Sequence, residues 1–355
     1  MAPIDDLLDV IADEMGMDRD ELTDDTDITE LSRESALLRV VLKRISKSLG
    51  DNINASTFEG CDDVADLRER ISKLHGSTQD QDTAQLPSSP TPPKQLVLLL
   101  QGNPATATKK VFFLPDGSGA GMAYMAIPPL DPSICLYGIN SPYLHATEGF
   151  QGSFDDLIPR WAEEIRKVQP KGPYNLGGWS AGGYFSFELA KLFMKDGEDV
   201  EKLILIDSPC RLEFEALPTK VVEYLARDNL MGNWSRGGTP QWLVNSFTAT
   251  IGAVEKYMPT PMTKPGPSGM PAVFIIWASE GVFKEGEAQQ HPELDLSVKV
   301  ARFLVEPRQD FGPIGWERLF PDMPILLERI PGNHFMIVHP PYVSFVHKST
   351  SEDDP

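Results

Sequence analysis

The sequence predicts an α/β protein, a parallel sheet with helices on both faces, preceded by a small all-α bundle. Three observations carry this. From about residue 96 onward, short continuous apolar runs alternate with amphipathic stretches, the pattern of strands buried on both faces and joined by crossover helices. Before residue 77 the apolar residues recur at helical spacing instead. Between the two lies STQDQDTAQLPSSPTPPKQ, residues 77–95, nearly free of large apolar side chains and therefore unable to offset its own chain entropy by burial. The expected organisation is a helical domain over 1–76, a linker over 77–95 and an α/β domain over 96–355.

In the first domain Leu7, Leu8, Ile11, Ala12 and Met15 share one helix face, then Leu38, Val41, Leu42 and Ile45, then Val64, Leu67, Ile71 and Leu74. Three such stripes make a small bundle. In the second, the strand-like runs are VFFLP from 111, ICLYGI from 134, YNLGGW from 174, LILID from 203, VFIIWA from 273 and ILLERI from 325. The stretch FDDLIPRWAEEIRKVQ from 154 places Leu157, Trp161, Ile165 and Val168 on one face, as a covering helix requires. The alternation breaks from about 211 to 262, which reads as a mostly helical insertion, a lid over the carboxyl edge of the sheet. Its Phe214, Tyr224, Trp234, Trp242 and Phe247 would line an aromatic chamber or form the insertion's own core.

Charge narrows the partners. The chain carries 52 Asp and Glu against 32 Lys and Arg, a formal charge of -20, and half of that excess falls within residues 1–75. Nucleic acid and anionic membrane surfaces are disfavoured, because neutralising phosphate needs an excess of cations. The three cysteines, Cys61, Cys135 and Cys210, are an odd number without C-x-x-C spacing, so neither a disulfide framework nor a metal site is expected. The first residues are acidic where a secretory signal is basic, and no apolar run approaches a membrane span. The expectation is a soluble, cytoplasmic protein.

Chemistry concentrates at NLGGWSAGGYFSFELA, residues 175–190, where Gly178, Trp179, Ser180, Ala181 and Gly182 form a G-x-S-x-G element between a strand and a helix. A strand turning sharply into a helix strains the serine and presents its hydroxyl, and flanking glycines let the two elements approach. A serine attacks at neutral pH only when a base takes its proton. His334, in a loop after the last strand-like run, stands where the chain order serine, acid, histidine puts that base, with His339 the competitor. Asp207 closes the LILID run at a carboxyl strand end, where sites in open α/β sheets gather. It is the favoured acid, and Glu280 after the next strand is the rival. An oxyanion needs two amide donors, expected from Ala181 and from Gly117 or Ser118 in FLPDGSGAG, residues 113–121.

With these residues assembled, the chain resembles the C-terminal end of fungal non-reducing polyketide synthases, an acyl carrier protein followed by a thioesterase/Claisen cyclase. In the second domain the resemblance rests on LLLQGNPATATKKVFFLPDGSGAG, GGWSAGGYFSFELA, LILIDSPC, IIWASEGV, RQDFGPIGWERL and GNHF, in the family's order. It implies an α/β-hydrolase fold, a triad of Ser180, Asp207 and His334, a helical lid over an acyl chamber, and release of an aromatic polyketide from its carrier thioester. Its implied partners are that thioester and a polyketide synthase; a non-catalytic hydrolase that only docks on the synthase is the alternative.

In the first domain the carrier's attachment motif, roughly G-x-D-S-L, aligns with Ser32, Arg33, Glu34, Ser35 and Ala36. Ser35 keeps the place of the phosphopantetheine acceptor, while its neighbours differ. Because those neighbours belong to the surface a transferase reads, the segment is expected to be a degenerate carrier that docks, with phosphopantetheine on Ser35 the other reading. An initial methionine just ahead of the first helix suits both a free-standing trans-acting protein and a piece of a larger synthase.

Overall fold

Side chains along a strand alternate between the two faces of a sheet, and here both sets are apolar, so both faces need cover. The computed structural model describes residues 3–15, 19, 22–28, 38, 41–42, 53, 55–58, 61–75, 96–144, 153–231, 239 and 241–342. It divides into two compact units, Met1–Gln95 and Leu96–Pro355.

The first unit holds α1 (Pro3–Met15), α2 (Ala55–Phe58) and α3 (Val64–His75). The stripe residues Leu7, Leu8, Ile11 and Ala12 of α1 and Val64, Leu67 and Ile71 of α3 are buried, as are Leu38 and Val41 of the second expected helix. Arg68 ties α3 to the 22–28 segment through Asp24 at 2.7 Å. Ser35 and the 77–95 segment lie outside the described residues.

The second unit is built on β1 (Val97–Gln101), β2 (Lys109–Leu114), β3 (Ile134–Ile139), β4 (Tyr174–Trp179), β5 (Val200–Ile206), β6 (Ala272–Ala278) and β7 (Ile325–Ile330). They form one sheet in the order β1-β3-β2-β4-β5-β6-β7. The six expected strands are all present and pair in parallel. The sequence reading does not single out β1, which pairs antiparallel with β3, Val97 opposite Ile139 and Leu99 opposite Tyr137. Its VLLL run follows the linker directly in the sequence, so the alternation with amphipathic stretches that marks the others is missing there.

One face is covered by α4 (Phe154–Val168) and α5 (Ala181–Lys195), whose Trp161, Ile165, Phe187 and Phe193 pack with Phe112, Leu176, Leu205 and Trp277 of the sheet. α4 starts at a capping box, Ser153 and Asp156 satisfying each other's orphan amides, which fixes its first turn. On the opposite face Phe113, Ile204 and Ile276 of the sheet pack with Leu225, Leu304 and Val305, which belong to α6 (Thr219–Arg227) and α8 (Lys299–Val305).

The insertion is helical as expected, through α6 and α7 (Gln241–Lys256). Tyr224 and Phe247 are buried in one cluster with Trp179 and Phe335, the residues flanking Ser180 and His334. A methyl group on Gly117 would collide with the Phe247 ring, so Phe247 walls the FLPDGSGAG loop rather than serving only the insertion's interior. Phe214 instead meets Phe303 edge-on at 5.0 Å. Trp234 and the Trp242 side chain lie outside the described residues. Cys61, Cys135 and Cys210 are buried free thiols. No helix among the described residues is long and apolar enough to cross a membrane.

Candidate active site

The turn from β4 into α5 puts Ser180 at φ 55° and ψ -121°, a conformation that an L-residue holds only when its surroundings impose it. The surroundings are visible. A Cβ on Gly178 would run into the backbone of Gly182, and one on Gly182 would lie 2.6 Å from the Leu114 carbonyl; only glycine permits either approach. The Ser180 amide donates to the Ile206 carbonyl at 2.9 Å, and the Ser208 hydroxyl donates to the Ser180 carbonyl at 2.6 Å. Tyr124 braces the same corner, its hydroxyl donating to Leu114 at 2.6 Å and accepting from the Trp179 amide at 2.8 Å.

His334 arrives from the turn after β7. Its Nε2 lies 3.0 Å from Ser180 Oγ and its Nδ1 lies 2.8 Å from Asp207 Oδ2. The ring is 4% exposed, and Asn333 holds the turn by accepting the amides of Phe335 at 3.0 Å and Met336 at 3.1 Å. Asp207 is wholly buried, with φ 43°; its amide donates to Ile276 at 2.7 Å and its Oδ1 accepts the Ala278 amide at 2.9 Å. Burial pushes the Asp207 carboxyl up, but the Arg308 guanidinium, then the bond to His334, outweigh it and hold the group below the usual carboxylate range.

The structure thus brings Ser180, His334 and Asp207 into one hydrogen-bonded chain at the carboxyl edge of the sheet. Glu280 is exposed and only its amide reaches toward this corner, donating to Gly332 at 3.0 Å. His339 sits further along the same turn, half-buried, with its pKa lowered by burial.

The loop expected to supply an oxyanion donor closes on the first turn of α5 through Leu114 and Pro115. Ala181 is the first residue of α5, so its amide is one of the helix's orphan donors. The Ser118 hydroxyl donates to Asp116 Oδ1 at 2.5 Å and accepts the Ala120 amide at 3.1 Å. Asp116 is a buried carboxyl that sequence reasoning missed, because DGSG reads as an ordinary exposed turn. Burial raises it to about 6 against hydrogen bonds from the Ser118 hydroxyl and amide.

Between the unfolded value of about 4 and the folded value of about 6, the folded chain keeps a proton that the unfolded chain has released. Stability therefore falls as pH rises through this window, and above it the buried charge costs about 3 kcal/mol. Asp116→Asn is expected to raise stability in urea by up to that amount at pH 8 and to change little at pH 4. A variant that tracks the wild type at both pH values would show that Asp116 ionises as easily folded as unfolded.

A thioesterase family model matches residues 109–220, and a phosphopantetheine attachment site model matches residues 5–71. The second unit is a thioesterase domain of α/β-hydrolase type. The whole chain is related to the C-terminal regions of fungal non-reducing polyketide synthases. It is 31% identical to the non-reducing polyketide synthase Preu8 of Preussia isomera, over 93% of this chain and 16% of that one. It is 35% identical to the non-reducing polyketide synthase terA of Aspergillus terreus, over 83% of this chain and 14% of that one. The chain thus spans roughly a sixth of the length of these relatives.

Among solved structures, the fold resembles the NocB thioesterase domain, with a TM-score of 0.52 at 22% identity, covering 72% of this chain and 97% of that one. It also resembles the four-domain nonribosomal peptide synthetase holo-AB3403, with a TM-score of 0.59 at 18% identity over 98% of this chain and 25% of that one. The phosphopantetheine match spans Ser35, so a carrier region of the attachment type precedes the thioesterase domain. A carrier-like first domain is what the resemblance implies, and the match holds for a carrier that is loaded at Ser35 as for one that only docks.

Proposed function

We propose that this chain releases an aromatic polyketide from a carrier-protein thioester through an acyl-enzyme on Ser180. The observation that carries the reading is the unbroken chain of contacts from Ser180 Oγ to His334 Nε2 at 3.0 Å and from His334 Nδ1 to Asp207 at 2.8 Å.

In the first half-reaction Ser180 Oγ attacks the thioester carbonyl and its proton passes to His334 Nε2. Negative charge collects on the carbonyl oxygen, near the Ala181 amide and the 114–118 loop. Both Ser118 donors approach Asp116, so Gly117 is the loop residue whose amide remains to join Ala181 in holding the oxyanion. Collapse breaks the carbon-sulfur bond, His334 returns the proton to the thiolate, and the acyl group stays on Ser180. In the second half-reaction water gives an acid, a substrate carbanion gives a Claisen ring closure, and a hydroxyl gives an ester. The triad serves all three, and the helices over 211–262 decide among them by what they admit and exclude.

Two measurements test this. Incubation with the thioester of a polyketide mimic should yield an acyl adduct on Ser180 by mass spectrometry and a free thiol, with products identified as acid, ring-closed or esterified. Thiol release without such an adduct would rule out the acyl-enzyme. In the carrier region the proposed acceptor is Ser35; a phosphopantetheinyl transferase with coenzyme A should add one phosphopantetheine to the wild type and none to Ser35→Ala. No mass increase in the wild type would mean a carrier that only docks.

A further inference from the structure

The motif RQDFGPIGWERL contributes a residue that the reaction as proposed does not use. The Nη2 of Arg308 lies 3.0 Å from Asp207 Oδ1, the pair being 7% and 0% exposed. Its guanidinium lies in the corner made by two rings, 3.7 Å from the centroid of Phe303 and 4.7 Å from that of Trp277. Neither ring is loose: the Trp277 indole donates to the Gly312 carbonyl at 2.9 Å, and Phe303 also abuts His334, edge to face at 6.1 Å. Arg308 Nε and Nη1 are buried with no hydrogen-bond partner among the described residues. Among the described residues Asp207 is thus the anion with which this cation pairs.

The pairing follows from the cost of the carboxylate. An ionised carboxyl in a dry site loses several kcal/mol of hydration. The Ala278 amide and a neutral imidazole offer two hydrogen bonds and no opposing charge; a guanidinium offers the charge. We propose that Arg308 is a positioning residue of the triad, holding Asp207 as the carboxylate so that His334 keeps its proton on Nδ1 and turns a bare Nε2 toward Ser180. The inference rests on the reading of Ser180, His334 and Asp207 as the reacting relay. Without Arg308, Asp207 retains a proton at higher pH. A neutral carboxyl donates to Nδ1, and the proton then sits on Nε2, where it blocks the transfer from Ser180.

Other charges are placed differently. Lys299, Arg302, Glu306 and Asp310 line, with Arg308, a cavity of about 470 Å³; two are cations and two are anions, and none bonds Asp207. From β6 only the Ala278 amide faces the carboxylate. From the turn after β7 only His334 does.

The test is the pH dependence of Ser180 reactivity toward a fluorophosphonate, read by mass spectrometry on the full chain. It needs the relay but no thioester, so it stands apart from the identity of the natural substrate. Arg308→Met is expected to react about 100-fold more slowly at neutral pH, short of the roughly 10⁴-fold cost of disabling the acid itself. Its acid limb should move to higher pH, so that raising the pH restores most of the rate. Arg308→Lys should keep the limb near that of the wild type. In an Asp207→Asn background, Arg308→Met should cost less than about 2-fold further, because the two residues act in series. A limb that stays in place in Arg308→Met, or an equal loss in both backgrounds, overturns the proposal. Should Arg308→Met fail to fold, Arg308→Gln, which keeps a donor and loses the charge, makes the same comparison. Labelling of Ser180 without thioester turnover strikes the proposed function alone; a wild-type Ser180 that does not label strikes both.

Discussion

Replacing Ser180 by alanine is expected to lower kcat/KM toward an acyl thioester by about 10⁴- to 10⁶-fold, the range lost when a relay of this kind loses its nucleophile. Substrate affinity should change little, because the rest of the site, with the proposed oxyanion amides of Gly117 and Ala181, remains. Stability should also hold. Alanine at φ 55° carries the same strain as serine, since the clash comes from Cβ and not from the hydroxyl. Ser180→Gly separates the two roles: it removes the nucleophile just as completely and relieves on the order of 1 kcal/mol of backbone strain, visible as a higher urea midpoint. Turnover measured on both variants with urea unfolding alongside checks the account. A rate within tenfold of wild type in either variant would place the nucleophile elsewhere.

The strain at Ser180 explains why this part of the site was legible in the sequence. A hydroxyl held against the backbone's preference needs glycine on both sides, and Gly178, Gly182 and Gly183 advertise that need. The strands were legible for a related reason. Burial on both faces leaves runs such as ICLYGI and VFIIWA without a charged residue, whereas β1, an antiparallel edge strand that follows the linker segment directly, lacks the flanking amphipathic pattern in the sequence. Chain order pointed to His334, and the carboxyl end of β5 pointed to Asp207 over Glu280. Arg308 and Asp116 were not legible as parts of the site. Each is a charged residue in a loop rich in glycine and proline, which reads as solvent-exposed. Their burial arises from long-range packing, Arg308 against Phe303 and Trp277 and Asp116 beneath the turn of its own loop, and such packing leaves no local period.

Asp207→Asn is expected to cost about 10⁴-fold in kcat/KM, and the surroundings of the carboxylate say why asparagine cannot escape the loss by rotating. Oδ1 accepts from the Ala278 amide and faces the Arg308 cation, so the side-chain oxygen of asparagine must take that place; the amide group there would set donor against donor and against positive charge. The NH₂ group is then forced toward His334 Nδ1, which must accept, and the ring proton moves to Nε2, where it faces Ser180 with nothing to receive. Raising the pH does not restore this variant, in contrast to Arg308→Met, because asparagine has no proton to lose. Arg308 is meanwhile left without its anion, and breaking a buried pair of this kind costs about 3–5 kcal/mol of stability. The folded pKa of Asp207 is depressed, chiefly by Arg308 working against burial, so its contribution to stability is present above the unfolded carboxylate pKa and is lost as pH falls through the folded one. Asp207→Asn should therefore unfold more easily at neutral pH and show a flatter dependence at acid pH. Glu280→Gln, altering an exposed carboxyl at the end of the next strand, should keep both rate and stability near wild type. Kinetics of the two variants side by side decide the assignment, since a large loss in Glu280→Gln with Asp207→Asn still active would move the acid to the end of β6 and leave the buried Asp207–Arg308 pair with a purely structural role.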